Sequence, residues 1–179
     1  GVAISIGPGS FTGLRIGLAT AKMLSYALSI PVVAVSSLEA MAYHYPVPGV
    51  YVASVLDAQK SNAYFALYEW NGKGFDEKKQ TCVMDFEEVV KYCSTLDKPV
   101  VFVGDIAQKK AEIIAQYENV SLGLPHLCMP RASNVAMAAK ARFENEDYDN
   151  IMDLEPVYIR RSEAEVLWEK RHGEKLTDL

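Results

Sequence analysis

Residues 6–17 read Ile6-Gly7-Pro8-Gly9-Ser10-Phe11-Thr12-Gly13-Leu14-Arg15-Ile16-Gly17, and they join a short apolar run to a helical pattern. The apolar run at 2–6 reads as a buried strand, and the Gly-Pro-Gly after it is a strong break into a tight loop. Gly7 and Gly9 supply backbone angles that other residues avoid. Ser10 or Thr12 can cap the helix of residues 12–28, which leaves several free N–H groups at its positive end. A loop of this kind can hold an anion, so Gly7, Gly9, Ser10 and Thr12 form a candidate anion-binding loop. It lacks the Gly-Lys-Ser/Thr of a Walker A loop, and its third glycine falls one residue late for a dinucleotide fingerprint. Geometry alone favours a tight turn that packs the helix on the sheet.

The helix carries more information than the loop. At 100° per residue, Arg15, Lys22, Ser25 and Tyr26 gather on one side, whereas Leu14, Ile16, Ala21, Met23, Leu24, Ala27 and Leu28 spread over about half the circumference. A helix lying on one sheet face needs a stripe of about 100°, so the surplus predicts a second covering surface. Gly13, Gly17 and Ala21 recur every four residues and would make a strip that another helix could approach closely. Cover by the same domain and cover by another molecule both fit the pattern. The expected contact set is Gly13, Arg15, Gly17, Leu18, Ala21, Lys22 and Tyr26, with Arg15, Leu18, Lys22 and Tyr26 exposed and the small residues allowing close approach.

Outward from this segment, residues 31–35 read as a strand, and Ser36 followed by Glu39 makes a capping box for a helix through about Tyr43. Pro46, Pro48 and Gly49 mark a boundary. Beyond it, runs at 50–56 and 63–70 and a third ending near Met84 predict a three-stranded meander. Residues 85–96 read as a helix, 99–103 as a strand, 105–117 as a helix and 125–129 as a weak strand. An Ala-rich helix over 133–145, capped by Ser133, completes the pattern. The second unit thus has the β-β-β-α-β-α-β-α order of a ribonuclease-H-like core, and residues 1–45 match only its last four elements. An internal repeat whose first copy lacks its opening meander and helix is the expected picture of a duplicated actin-like ATPase fold with its N-terminal part removed.

The chain has 179 residues, 18 Lys+Arg against 23 Asp+Glu, and a net charge of −5. An acidic balance argues against direct nucleic-acid binding, which rests on Lys and Arg contacts to phosphates. The apolar runs fall far short of the roughly 18 residues of a membrane span. Cys82, Cys93 and Cys128 are odd in number and widely spaced, which argues against a disulfide framework and a thiolate zinc site. They read as buried fillers in a reducing cytoplasm. His44, His126 and His172 lie too far apart for a helical ligand pair, so no metal is expected. Asp57 reads as a turn aspartate capping its own backbone, with a magnesium-directing role as the alternative. Arg131, after Pro130, reads as solvated surface. Residues 160–175 mix basic and acidic side chains around Val166, Leu167 and Trp168 and read as solvated helix or disorder, with the apolar triplet available to a partner.

The glycine segment, with Ala19-Thr20-Ala21-Lys22, Ile30-Pro31-Val32-Val33 and Val35-Ser36-Ser37-Leu38-Glu39, resembles the bacterial TsaB family, also called YeaZ. Leu56-Asp57-Ala58-Gln59-Lys60, residues 63–68 and Pro156-Val157-Tyr158-Ile159-Arg160 extend the match over most of the chain. The resemblance implies an α/β actin-like ATPase (ASKHA) fold of two ribonuclease-H-like lobes, the first incomplete here. Its division would be 1–45 for the end of the first lobe, 50–145 for the second and 146–179 for a tail. It implies an accessory, non-catalytic subunit that binds the catalytic protein TsaD, works with the ATPase TsaE through the TsaB–TsaD complex, and forms a homodimer when alone. The TsaD complex transfers a threonylcarbamoyl group to the adenosine beside the tRNA anticodon, so tRNA would be met only indirectly. Residues of this chain agree with a lost chemistry. The 57–62 turn, expected where actin-like ATPases hold phosphate, has no glycine, and the expected adenosine turn offers only Gly104-Asp105. No cofactor is therefore expected. The alternative is a nucleotide-binding phosphotransferase of the kinase-like branch; an endopeptidase would need a nucleophile or metal pair that the sequence does not offer.

Overall fold

The computed structural model describes residues 1–159, so the expectations for Arg160 and for the Val166–Leu167–Trp168 triplet lie outside the described residues. Strand β1 (Val2–Gly7) leads through the glycine loop into helix α1 (Phe11–Leu28), followed by β2 (Val32–Ser36) and α2 (Ser37–Ala42). β1 and β2 pair in parallel as a two-stranded sheet, Val2 opposite Val32 and Ser5 opposite Val35. Next come β3 (Tyr51–Asp57), β4 (Asn62–Trp70), β5 (Phe75–Asp85), α3 (Phe86–Ser94), β6 (Val100–Val103), α4 (Asp105–Lys109), α5 (Ala111–Ile114), β7 (Val120–Leu122) and α6 (Ala132–Glu144). They build a five-stranded sheet of order β5-β4-β3-β6-β7, antiparallel through the meander and parallel from β3 to β7.

Strand alternation divides this sheet into two apolar faces. Ala53, Val55, Phe65, Leu67 and Phe102 face α3, α4 and α5, where Phe86, Val89, Val90 and Ile114 complete one core. Val52, Leu56, Ala66, Tyr68 and Val103 face the other way, onto Leu38, Met41 and Ala42 of α2. The two sheets are joined through α2 and α6. α2 lies between them, Leu38, Met41 and Ala42 on the second and Ala40 against Val33 and Val35 of the first, whereas α6 follows the second sheet and packs Val135, Ala138 and Ala139 on Val33 and Val35 of β2. The opposite face of β1–β2 carries α1, with Leu18 against Val32 and Leu154.

Three local expectations change. The helix foreseen over 105–117 is broken at Lys110 (φ −120°, ψ 37°) into α4 and α5. The last strand is β7 at 120–122, in register with Val100–Phe102, and residues 125–127 form a 3-10 turn instead. α6 starts at Ala132 with Arg131 at the cap position and no side-chain cap, so Ser133 lies inside the helix. Elsewhere the caps behave as their residue types require. Ser10 accepts from the Gly13 amide, Ser36 from the Leu38 amide, and Asp85 from the amides of Glu87 and Glu88.

Candidate functional site

Two features gather unusual chemistry, the outward face of α1 and the cleft between the sheets. α1 buries Leu18, Ala21 and Ser25 with Leu14, Gly17 and Lys22 beside them, one stripe at helical spacing. A Cβ on Gly17 would meet Ile4 Cδ1 at 3.4 Å, so position 17 faces β1. The expected placement of Leu18, Gly17 and Ala21 on an outer face is therefore corrected: Leu18 is 5% and Ala21 3% exposed, and the small residues serve the helix's own sheet. Gly13 is exposed, Lys22 half-buried. The outer face is apolar instead. Ile16, Met23 and Leu28 are each more than 60% exposed, Leu24 is 46% exposed, and Tyr26 flanks them at 72%.

Arg15 is exposed but already engaged. Its Nε donates to Tyr158 Oη at 2.8 Å, and its guanidinium lies 4.0 Å from the Phe11 ring centroid. With the Phe11 and Tyr158 rings 5.1 Å apart, this clasp fastens the segment after Leu154 across the start of α1. The Val157 amide donates to Ile6 O and Leu154 packs on Leu18, so the segment is tied to the first sheet at both ends.

The cleft has a volume of about 830 Å³ and lies between the glycine loop and the β3–β4 turn. Gly7 has φ +115°, and a Cβ there would meet Leu14 Cδ1 and Val157 O at 3.1 Å, so this position requires glycine. Gly9 has no left-handed backbone and Thr12 is an exposed residue of the first helical turn. Of the candidate anion loop, Gly9 and Ser10 line the cleft. Across from them, Gln59, Lys60 and Ser61 all have left-handed φ (64°, 52° and 67°) without a glycine among them, a feature the sequence did not announce.

Asp57 acts as the sequence suggested, its Oδ1 accepting from the Gln59 amide at 2.8 Å. Beyond that, Lys109 Nζ donates to Asp57 Oδ2 at 2.9 Å and to Asp105 Oδ2 at 3.3 Å, and Asp105 Oδ1 accepts from the Asp57 amide. The Lys109 hydrogen bond holds the Asp57 carboxyl below its usual range. Gly104, at φ +136°, has no room for a Cβ because Val55 O occupies the position, so this glycine serves the approach of α4 to β3. Arg131 donates to His126 O. Of the cysteines only Cys93 is buried, where burial pushes its thiol up to about 12; Cys82 and Cys128 are partly exposed, which corrects the expectation of three buried fillers. Among the described residues no group of three or more His, Cys, Asp or Glu is placed to hold a metal. No described helix is long and apolar enough to cross a membrane.

The family model described as "TsaD: tRNA N6-adenosine threonylcarbamoyltransferase" matches residues 1–168. The Bacillus subtilis "tRNA threonylcarbamoyladenosine biosynthesis protein TsaB" is 31% identical over 172 residues, 93% of this chain and 72% of its own length. The chain belongs to the TsaB/YeaZ family. The Escherichia coli protein of the same name is 28% identical over 182 residues, covering 97% of this chain and 75% of that one. A solved structure, YeaZ from Pseudomonas aeruginosa, superposes with a TM-score of 0.71 at 25% identity over 86% of this chain and 70% of that one. The mixed α/β fold is thus that of YeaZ and is related to the actin-like TsaD type. Within a TsaB/YeaZ chain, the residues that sequence reasoning missed are Tyr64, Met129 and Tyr158 of the cleft wall. They come from three distant segments, and no local pattern links them. The outer α1 residues were visible in the helical projection as surplus apolar arc; what the projection lacked was which half turns inward.

Proposed function

We propose that this chain serves tRNA threonylcarbamoyladenosine formation as a non-catalytic subunit that binds a TsaD-type partner through the outer face of α1. The carrying observation is the exposed stripe of Ile16, Met23, Leu24 and Leu28 opposite the buried stripe of Leu18, Ala21 and Ser25. Helix-to-helix packing is the natural cover for such a stripe, since ridges of large side chains at i and i+4 fit the grooves of a second helix. The names of the relatives supply the pathway. Under this reading a copy of the same chain covers the stripe when the partner is absent, TsaE acts through the TsaB–TsaD complex, tRNA is held by the partners, and the setting is the cytoplasm. The actin-like architecture of two ribonuclease-H-like lobes, with residues 1–45 in the first, the second over 50–145 and a tail from 146, belongs to the same proposal.

The non-catalytic part has its own support. In the 57–62 turn the Asp57 carboxylate accepts from the Gln59 amide and from Lys109 of α4, and no Lys or Arg is among the described residues lining the cleft. A phosphate chain would meet carboxylates there.

The test is co-purification with TsaD of the same organism. Met23→Glu with Leu28→Glu should weaken capture at least about tenfold while the melting temperature stays unchanged, because both side chains already face solvent. Undiminished capture overturns the interface. Gly17→Leu is the poorer test, since it also pushes α1 off Ile4. ATP turnover with magnesium by the purified chain would overturn the non-catalytic reading in favour of a phosphotransferase.

A further inference from the structure

Three charged side chains meet at the end of β3 from separate places in the chain. Asp57 ends β3, Asp105 begins α4, and Lys109 ends that helix one turn later. Gly104 makes the meeting possible, because its bare Cα lets α4 start directly against Val55 O of β3. Each carboxylate divides its oxygens in the same way. Asp57 Oδ1 accepts from the Gln59 amide at 2.8 Å, and Asp105 Oδ1 accepts from the Asp57 amide at 3.0 Å and the Ile106 amide at 2.9 Å. Both Oδ2 atoms turn to a single point, the Lys109 ammonium, which donates to them at 2.9 and 3.3 Å.

Two carboxylates aimed at one point repel each other unless a cation stands there. Among the described residues Lys109 is the one cation within ion-pair distance of either, and Lys110 attracts Asp57 from farther away. The sharing acts in both directions. The Lys109 hydrogen bond holds the Asp57 carboxyl below its usual range, and Asp57 first and Asp105 second hold the Lys109 ammonium above its own, so all three groups stay charged at neutral pH. Converging carboxylate oxygens are also what a hard divalent cation takes as ligands. A metal ion arriving from solution would have to displace an ammonium tethered to the same helix as one of the carboxylates, and a short tether gives an effective concentration on the order of millimolar. With only two carboxylate oxygens on offer, the tethered cation wins that contest.

We propose that Lys109 is a built-in counter-cation: its ammonium fills the point where Asp57 and Asp105 converge and closes that point to divalent metal ions. The inference deepens the non-catalytic reading, on which its functional meaning rests, by naming the side chain that keeps a metal from the β3–β4 turn. It does not involve the outer face of α1.

Titration of the full chain with manganese chloride tests it, read by paramagnetic broadening of assigned amide signals. The amides of Asp57, Gly104, Asp105 and Ile106 should broaden in Lys109→Met at manganese concentrations at least about tenfold lower than in wild type. The Lys109 side chain is 59% exposed, so its replacement leaves the core untouched. Lys109→Arg keeps a cation at the point and should behave as wild type, whereas adding Asp105→Asn to Lys109→Met should remove the gained binding. Equal broadening in wild type and Lys109→Met would overturn the proposal, as would gained broadening that survives Asp105→Asn. Selective broadening of these four amides in the wild-type chain, before the rest of its spectrum changes, would overturn it without any variant. Magnesium-dependent ATP turnover by a wild-type chain whose four amides stay sharp would instead overturn the non-catalytic reading alone.

Discussion

α1 and α3 are both helices laid on a sheet, yet only one of them has a polar exterior. α3 turns Phe86, Val89, Val90 and Cys93 inward and Glu87, Glu88 and Lys91 outward, with Asp85 as its cap and its acidic residues in the first turn. These positions agree with a helix that has water on one side, and the one exposed large ring, Tyr92, lies beneath the Lys79 ammonium at 4.8 Å. α1 turns Leu18, Ala21 and Ser25 inward and leaves Ile16, Met23, Leu24 and Leu28 outside, with no acidic residue in its first turn and no basic one in its last. α3 is satisfied by its own chain. α1 has the composition of a helix between two surfaces, of which the described residues supply one.

The contrast can be broken most forcefully from the α3 side. Phe86→Ala empties a fully buried site against Phe102, whose ring lies 6.1 Å away, and should cost about 3–5 kcal/mol in urea unfolding. A loss below about 1 kcal/mol would mean that α3 is not the fixed element described. On α1 the two faces should separate cleanly. Leu18→Ala should cost about 2–4 kcal/mol, whereas Ile16→Ser should change stability by no more than about 0.5 kcal/mol in the isolated chain. Equal losses in chemical denaturation would show that the outer stripe is covered within the chain. The smallest effect concerns α2, the helix between the two sheets. Glu39 is held above the usual carboxylate range first by burial and then by Glu77, with Arg142 acting the other way. Its charged form therefore opposes folding at pH 7, and that cost disappears as the pH falls through the raised folded value toward 4.5. Glu39→Gln should melt at a higher temperature than wild type at pH 7, and the advantage should vanish below pH 4.5. An advantage independent of pH would locate its cause in packing.

Much of the fold was legible because adjacent signals agreed. The apolar run before Gly7-Pro8-Gly9, the cap at Ser10 and the helical surplus to Leu28 fixed β1 and α1 almost to the residue, and Ser36 did the same for α2. β7 escaped because a three-residue strand is too short to show alternation; it is defined by its pairing with β6, while the more apolar stretch near Pro125 turns instead. The break at Lys110 has no glycine or proline to mark it. Site residues were half legible. Asp57 was read correctly as a turn aspartate from its neighbours, but its link to Lys109 spans 52 positions and no local pattern encodes it. Arg15 looked like a free contact residue, and its partner Tyr158 lies 143 positions away.

The sequence by itself determined the order of elements, the family and the fact that α1 carries more apolar surface than one sheet can cover, because each of these is written in local periodicity, caps and motif residues. Tertiary structure decided the rotation of α1. Gly17 against Ile4 and Leu18 against Val32 and Leu154 choose which half of the apolar arc is buried, and that choice turns Ile16, Met23 and Leu28 outward. Periodicity gives the width of an apolar arc, but its direction depends on contacts between segments far apart in the chain.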